Sequence, residues 1–267
     1  MDCVIDDVKL HYSEHGDGTP LVALHGAGVD HRELEAGLEA ALTAGCRRIY
    51  PDLPGMGRST SDGLMSHGDV VAVLAEFIDR VAGAPVLLFG HSYGAYLARV
   101  LAAERPDLVR GLALVCPFFA DGTSKPPEQR ALVDEPDAYD ELETSDRAGF
   151  EGYFVIRTPA TARRYRDAVA PGTTLVDPDA LGRIFAQWSL PVESEPFPRP
   201  TLIVAGRRDS TAGYVDAVAL LDSYPRATLA VLENAGHALI HEQPEQLSSL
   251  LRDWLERLLG TARMSTR

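Results

Sequence analysis

Seven short runs of β-branched or Leu-rich residues punctuate this 267-residue chain, at 8–15, 21–25, 48–51, 86–89, 112–116, 201–205 and 228–232. Helical patterns separate most of them, and that alternation is what a mostly parallel sheet covered by helices on both faces requires. Between the third and fourth runs, Val70, Val73, Leu74, Phe77, Ile78 and Val81 recur at helical spacing, the apolar stripe of a helix lying on the sheet. Gly83-Ala84-Pro85 then ends it. A second helix, rich in Ala and Leu, is predicted over 95–105 and stopped by Pro106. A third, over 245–259, carries Leu247, Leu250, Leu251, Trp254, Leu255 and Leu258, and the final seven residues read as a frayed tail.

One stretch breaks the alternation. From Pro117 to Pro200 there are few strand-like runs, repeated prolines and fragments of helical pattern. Between Ala120 and Phe197 stand fifteen Asp and Glu against eight Lys and Arg, so half of the chain's formal charge of −14 sits there. The same stretch holds Tyr139, Phe150, Tyr153, Phe154, Tyr165, Phe185 and Trp188. A mainly helical cap over 117–199, its aromatics turned inward as core or pocket lining, fits this composition. The main α/β domain is then made of 1–116 and 200–267.

Composition narrows the function classes. Hydrophobic residues are 45% and charged residues 24%, enough for a core and too apolar for a disordered chain. The excess of acid repels polyanions, so neither nucleic acid nor an anionic membrane surface is an expected partner. The first eighteen residues are acidic and alternating, unlike a secretory leader, and no run approaches the ~18 apolar residues of a membrane span. Cys3, Cys46 and Cys116 are too few and too odd in number for a disulfide framework and read as small hydrophobes. The expectation is a reduced, cytoplasmic chain acting on a small molecule, with its oligomeric state open.

The most informative local pattern is Gly90-His91-Ser92-Tyr93-Gly94, directly after the apolar run Val86-Leu87-Leu88-Phe89 and directly before a helix. A serine on so sharp a strand-to-helix turn is forced toward a disfavoured backbone region, and glycines two residues away on each side remove the collisions. The helix that follows favours negative charge at its start. A serine hydroxyl is a weak nucleophile and needs a base oriented by a third group. Two later runs end suitably: 201–205 leads to Gly206-Arg207-Arg208-Asp209, and 228–232 leads to Glu233-Asn234-Ala235-Gly236-His237. In a parallel sheet the strand ends share one edge, so Ser92, Asp209 and His237 are expected to meet there. Asp121, after the preceding run, is the rival acid. A developing oxyanion needs two donors. The Tyr93 amide is one candidate, and Ala27 in His25-Gly26-Ala27-Gly28 is the other, with Gly28 as its alternative.

These features, together with Asp52-Leu53-Pro54-Gly55-Met56-Gly57-Arg58-Ser59, which is similar to a D-x-x-G-x-G-x-S loop, resemble the α/β-hydrolase fold family over about 8–116 and 200–259. The resemblance implies an α/β-hydrolase fold with an inserted, mainly helical cap, the chain order nucleophile, acid, base, and no metal or organic cofactor. It implies a serine hydrolase that cleaves an ester, lactone or similar carbonyl through an acyl-enzyme. Epoxide hydrolases and haloalkane dehalogenases of the fold use Asp where this chain has Ser92. Hydroxynitrile lyases of the fold resemble enzymes with a cap lysine, and the lysines here are Lys9 and Lys125. Hydrolases of carbon–carbon bonds usually continue the HGxG loop with Pro, and here Val29-Asp30-His31-Arg32-Glu33 follows. That reading, a cofactor-free perhydrolase and a ligand-binding receptor on the same fold remain the alternatives. Gly26, Gly28, His31, His91 and Trp188 are candidates for substrate contact, although His91, like His25, more simply makes local hydrogen bonds. His237 and His241 form an H-x-x-x-H without a suitably spaced third ligand. The acidic cap favours neutral or cationic substrates over anionic ones.

Overall fold

The apolar runs assemble into one eight-stranded sheet in a computed structural model that describes residues 1–42, 45–119, 124–186 and 195–264. The strands are β1 (Asp2–Ile5), β2 (Val8–His15), β3 (Thr19–Leu24), β4 (Cys46–Pro51), β5 (Val86–His91), β6 (Val109–Val115), β9 (Thr201–Gly206) and β10 (Ala227–Leu232), with β7 (Val133–Asp134) and β8 (Ile156–Arg157) forming a separate pair. Their order across the sheet is β1-β2-β4-β3-β5-β6-β9-β10. From β4 to β10 every neighbouring pair is parallel, while β2 pairs antiparallel with both β1 and β4. Of the eight strands in this sheet, the one missing from the sequence reading is β1. It is a sheet edge that buries only Ile5, so it lacks the apolar signal that marks the interior strands.

Burial on both faces explains why the central strands read as continuous apolar runs. Leu21, Ala23, Leu87, Phe89, Leu202 and Val204 enter one core with Trp254, Leu251 and Leu247. Their strand neighbours Val22, Leu24, Leu88 and Ile203 enter the other, with Phe77, Leu97 and Tyr96. This period of two places one core on each side of the sheet. The helices covering it are α1 (His31–Leu38), α2 (His67–Phe77), α3 (Tyr93–Glu104), α8 (Val215–Ala219), α9 (Leu239–Glu242) and α10 (Pro244–Met264). Gly83, at φ +64°, caps the turn that continues α2, where a left-handed residue is needed to stop it. Trp254 of α10 is fully buried and donates its indole N–H to the carbonyl of Pro200.

The inserted stretch folds as α4 (Arg147–Tyr153), α5 (Pro159–Arg164), α6 (Ala170–Thr173) and α7 (Pro178–Ile184), with the β7–β8 pair beside them. Phe150, Phe154, Tyr165 and Val169 form a small core of their own that also takes in Val29 and Ala238 from the sheet domain. Among the described residues no helix is long and apolar enough to cross a membrane.

Candidate active site

Four chain segments leave the sheet at one edge: the loop after β3, the turn after β5, and the loops after β9 and β10. The register aligns them, with Leu24 opposite Gly90, Gly90 opposite Leu114 and Gly206 opposite Leu232. Ser92 sits between β5 and α3 at φ 53°, a left-handed conformation that L residues seldom adopt. The turn is tight enough that a methyl group on Gly94 would run into the carbonyl groups of Leu24 and His25, and one on Gly90 into the carbonyl of Gly94. The two glycines of the pattern are therefore steric requirements.

Ser92 and His237, 145 residues apart, are joined by a 3.0 Å hydrogen bond between Oγ and Nε2. His237 Nδ1 lies 2.9 Å from Asp209 Oδ2, and the other carboxylate oxygen of Asp209 accepts from the amides of Thr211 and Ala212 at 2.9 and 2.8 Å. Burial alone would push the Asp209 carboxyl up, but the imidazole beside it and the two amides outweigh burial and hold it below its ordinary value. Asp209 is thus a carboxylate with every oxygen engaged. Asp121, the rival acid, lies outside the described residues.

Above this row is a chamber of about 340 Å³. Ala27, Tyr93 and Thr211 of the sheet domain line it, as do Phe118, Gly149, Tyr153, Tyr165, Val169, Thr173 and Phe185 of the insertion. Ala27 lies between two committed amides: Gly26 N donates to Glu33 Oε2 at 3.3 Å and Gly28 N to the Met56 sulfur at 3.3 Å. Tyr93 is the first residue of α3, where the helix favours negative charge. Gly26, Gly28 and His91 line the chamber as well. Trp188 falls outside the described residues.

His31 is a correction. It is not part of the chamber lining but sits in a separate small cavity with His11, Asp30 and Asp52. The reason is Asp52: its Oδ1 accepts from the His31 amide at 2.9 Å and lies 2.7 Å from the ring Nδ1, while Oδ2 accepts from the Arg58 amide. Burial pushes the Asp52 carboxyl up, yet these donors bring it down to about 2. The Asp52–Ser59 loop is thereby closed on itself, and Gly57 lies against the Asp52 carboxylate with no room for a Cβ. His25 links this loop to the oxyanion-loop candidates. Its Nε2 accepts from Leu53 N, so Nδ1 carries the proton and donates to Gly26 O at 2.7 Å.

Two carboxylates escaped the sequence reading: Glu33, which lines the chamber, and Glu242. Both are buried by contacts between distant segments, and no local pattern marks them. Tyr153 OH donates to Glu33 Oε1, and the same oxygen lies 3.2 Å from His91 Nδ1. Two groups of described side chains come close enough to share a cation, His91–Cys116–His237 and Asp30–His31–Asp52. Their members already have partners: His237 is held by Ser92 and Asp209, Asp52 by His31 and Arg58, and Asp30 by Arg32. His241 does not join His237; it is buried against Phe154, ring centroids 6.0 Å apart.

Residues 21–250 match the model of the Alpha/beta hydrolase family. The chain is 28% identical to a pimeloyl-[acyl-carrier protein] methyl ester esterase of Aeromonas hydrophila, covering 93% of this chain and 100% of that protein. It is 26% identical to an (E)-2-((N-methylformamido)methylene)succinate hydrolase of Acinetobacter baylyi, covering 92% and 94%. The crystal structure of an alpha/beta superfamily hydrolase from Oenococcus oeni superposes with a TM-score of 0.87 at 25% identity, covering 97% and 99%.

Proposed function

Because the chain belongs to the α/β-hydrolase family, we propose that it is a serine hydrolase that cleaves small, uncharged ester-like substrates through an acyl-enzyme. The observation that carries this reading is the unbroken row Ser92 Oγ, His237 Nε2, His237 Nδ1, Asp209 Oδ2, with separations of 3.0 and 2.9 Å. Ser92 Oγ attacks the carbonyl carbon as its proton passes to His237 Nε2. The carbonyl oxygen becomes an anion held by the amides of Ala27 and Tyr93. Collapse breaks the bond to the alcohol, which leaves with the proton from His237, and the acyl group stays on Ser92. Water then gives a proton to the same nitrogen and attacks the acyl carbon, and the acyl–Oγ bond breaks as His237 returns that proton to Ser92, releasing the acid. Asp209 keeps the imidazole in the tautomer this requires.

The insertion is the cap of this chamber, and its chemistry supports an uncharged substrate. No Lys or Arg is among the described lining residues, and residues 120–123 and 187–194 contain none in sequence. Glu33 is the one carboxylate among the described lining residues. A substrate carboxylate brought into this chamber would lose its hydration without gaining a new cation, a cost of several kcal/mol. The succinate named for the Acinetobacter relative is therefore a poor candidate, while a methyl ester of the kind named for the Aeromonas relative meets no such barrier.

The test combines a fluorophosphonate probe with p-nitrophenyl esters. Stoichiometric labelling of Ser92 and hydrolysis of the butyrate at least about 100-fold faster than the anionic hemisuccinate are expected, since roughly 2.7 kcal/mol separates rates a hundredfold. An unlabelled Ser92 would overturn the serine mechanism. Equal turnover of both esters would overturn the substrate class, and a vinylogous diketone cleaved in preference to every ester would move the reaction to carbon–carbon bonds.

A further inference from the structure

The loop from β10 to α9 that carries His237 is gripped on both sides by buried carboxylates that the ester-cleaving row does not use. On one side Glu242 Oε2 accepts from the amide of Gly236 at 2.6 Å, while its Oε1 accepts from the amides of Val155 and Ile156 at 2.6 and 3.1 Å. On the other side the carbonyl oxygen of His237 itself takes a hydrogen bond from His91 Nε2 at 3.1 Å, and His91 Nδ1 faces Glu33. Glu33 in turn holds the Tyr153 hydroxyl. Both routes end in the same four cap residues, 153–156. Contact is direct as well. A Cβ on Gly236 would stand 2.8 Å from Val155 Cγ1, and the Tyr153 ring meets the His237 ring edge-on at 5.9 Å.

We propose that Glu242 and Glu33, acting through residues 153–156 of the cap, are positioning residues for the catalytic base. The cap segment is then a working part of the base's mounting as well as a roof. The proposal rests on the reading of His237 as the base. Its physical ground is the cost of the arrangement. Each carboxylate gives up its hydration, yet the partners of Glu242 are three backbone amides on two separate segments rather than a cation. A roof could be seated by apolar contacts alone, as the Phe150–Phe154–Tyr165 cluster already does. Fixing the Gly236 amide and the His237 carbonyl constrains an imidazole that must stay within about 0.5 Å of its working place.

The experiment compares full-length parent, Glu242→Gln, Tyr153→Phe, His91→Ala and His91→Gln, all below their melting midpoints, by kcat and KM on p-nitrophenyl butyrate and by the rate of fluorophosphonate labelling at Ser92. Glu242→Gln keeps one acceptor oxygen and turns a donor toward an amide, so kcat is expected to fall about 10- to 100-fold with KM within about threefold, labelling slowing in parallel. Tyr153→Phe is expected to lower kcat about three- to tenfold. His91→Gln, which retains a donor for the His237 carbonyl, should recover most of what His91→Ala loses. Variants that melt earlier but keep parental kcat and labelling would show a merely structural clasp and overturn the proposal. Should Glu242→Gln not fold, Tyr153→Phe and the His91 pair decide it. A parent that the probe fails to label sinks the serine reading itself, which separates the two failures.

Discussion

The floor and the roof of the chamber are built on different principles. The floor is backbone: Ser92 is aimed by a strained turn between two glycines that no larger residue can replace, and Asp209 is locked by the amides of Thr211 and Ala212. The roof is side chain: short helices α4 to α7 present Tyr153, Tyr165 and Phe185, and charge pairs such as Glu141 with Arg163 and Arg166 tie its outer surface. Exposed pairs of that kind contribute little to stability. The floor can therefore hold one arrangement of reacting atoms, whereas the roof can change its lining at small cost. A family with a common floor and diverse substrates would be organised in this way.

The comparison breaks first at Ser92, the proposed nucleophile. Ser92→Ala should lower kcat by on the order of 10⁴ to 10⁶ while the far-ultraviolet spectrum and melting midpoint stay close to the parent's. Turnover of p-nitrophenyl butyrate at the parental rate would refute the assignment. Glycines test the difference in rigidity. Gly94→Ala in the floor drives a methyl group into backbone carbonyls that cannot move aside, so we expect a loss of about 3 kcal/mol or more in urea unfolding. Gly149→Ala in the roof meets only the hydroxyl end of Tyr165, a side chain that can swing. Less than about 1 kcal/mol of stability should be lost, with the effect appearing as a few-fold change in KM because both residues line the chamber. Equal destabilisation by the two substitutions would erase the distinction.

The last test concerns the seam between the two regions. His241 is buried against Phe154, and among the described residues neither ring nitrogen has a hydrogen-bond partner. Burial pulls its pKa down to about 4 from 6.5, against the pull of the nearby Glu33. Between those values the unfolded chain binds a proton that the folded chain refuses. This residue's contribution to stability therefore declines as pH falls from about 6.5 to 4 and levels off below, a span of about 3 kcal/mol. His241→Phe keeps a ring against Phe154 and removes both the desolvated nitrogens and the titration. It should raise the melting midpoint at pH 5 more than at pH 7.5, and an equal change at both would show that the imidazole is not the source.

Legibility from sequence followed locality. Ser92, Asp209 and His237 could be picked out because each directly follows an apolar strand run or the turn after it, and a parallel sheet sends all such ends to one edge. Ala27, which lines the chamber, was offered for the oxyanion through the glycines beside it. His31 was misplaced because Asp52, twenty-one residues away, captures both its amide and its ring. The edge strand β1 was missed for want of buried side chains. Glu33 and Glu242 lie in helical stretches where an acidic residue reads as solvated surface, yet both are buried.

From the sequence by itself came the layered α/β architecture, the break for the insertion and the residues offered for the chemistry, since hydrophobic period, glycine placement and strand-end positions are properties of short windows of chain. Tertiary structure alone decided which insertion residues face the chamber, and that two carboxylates tie residues 153–156 to the loop of His237. Those contacts join segments 86 to 120 positions apart, and a buried charge is tolerated only where the folded chain delivers donors to it from several directions at once.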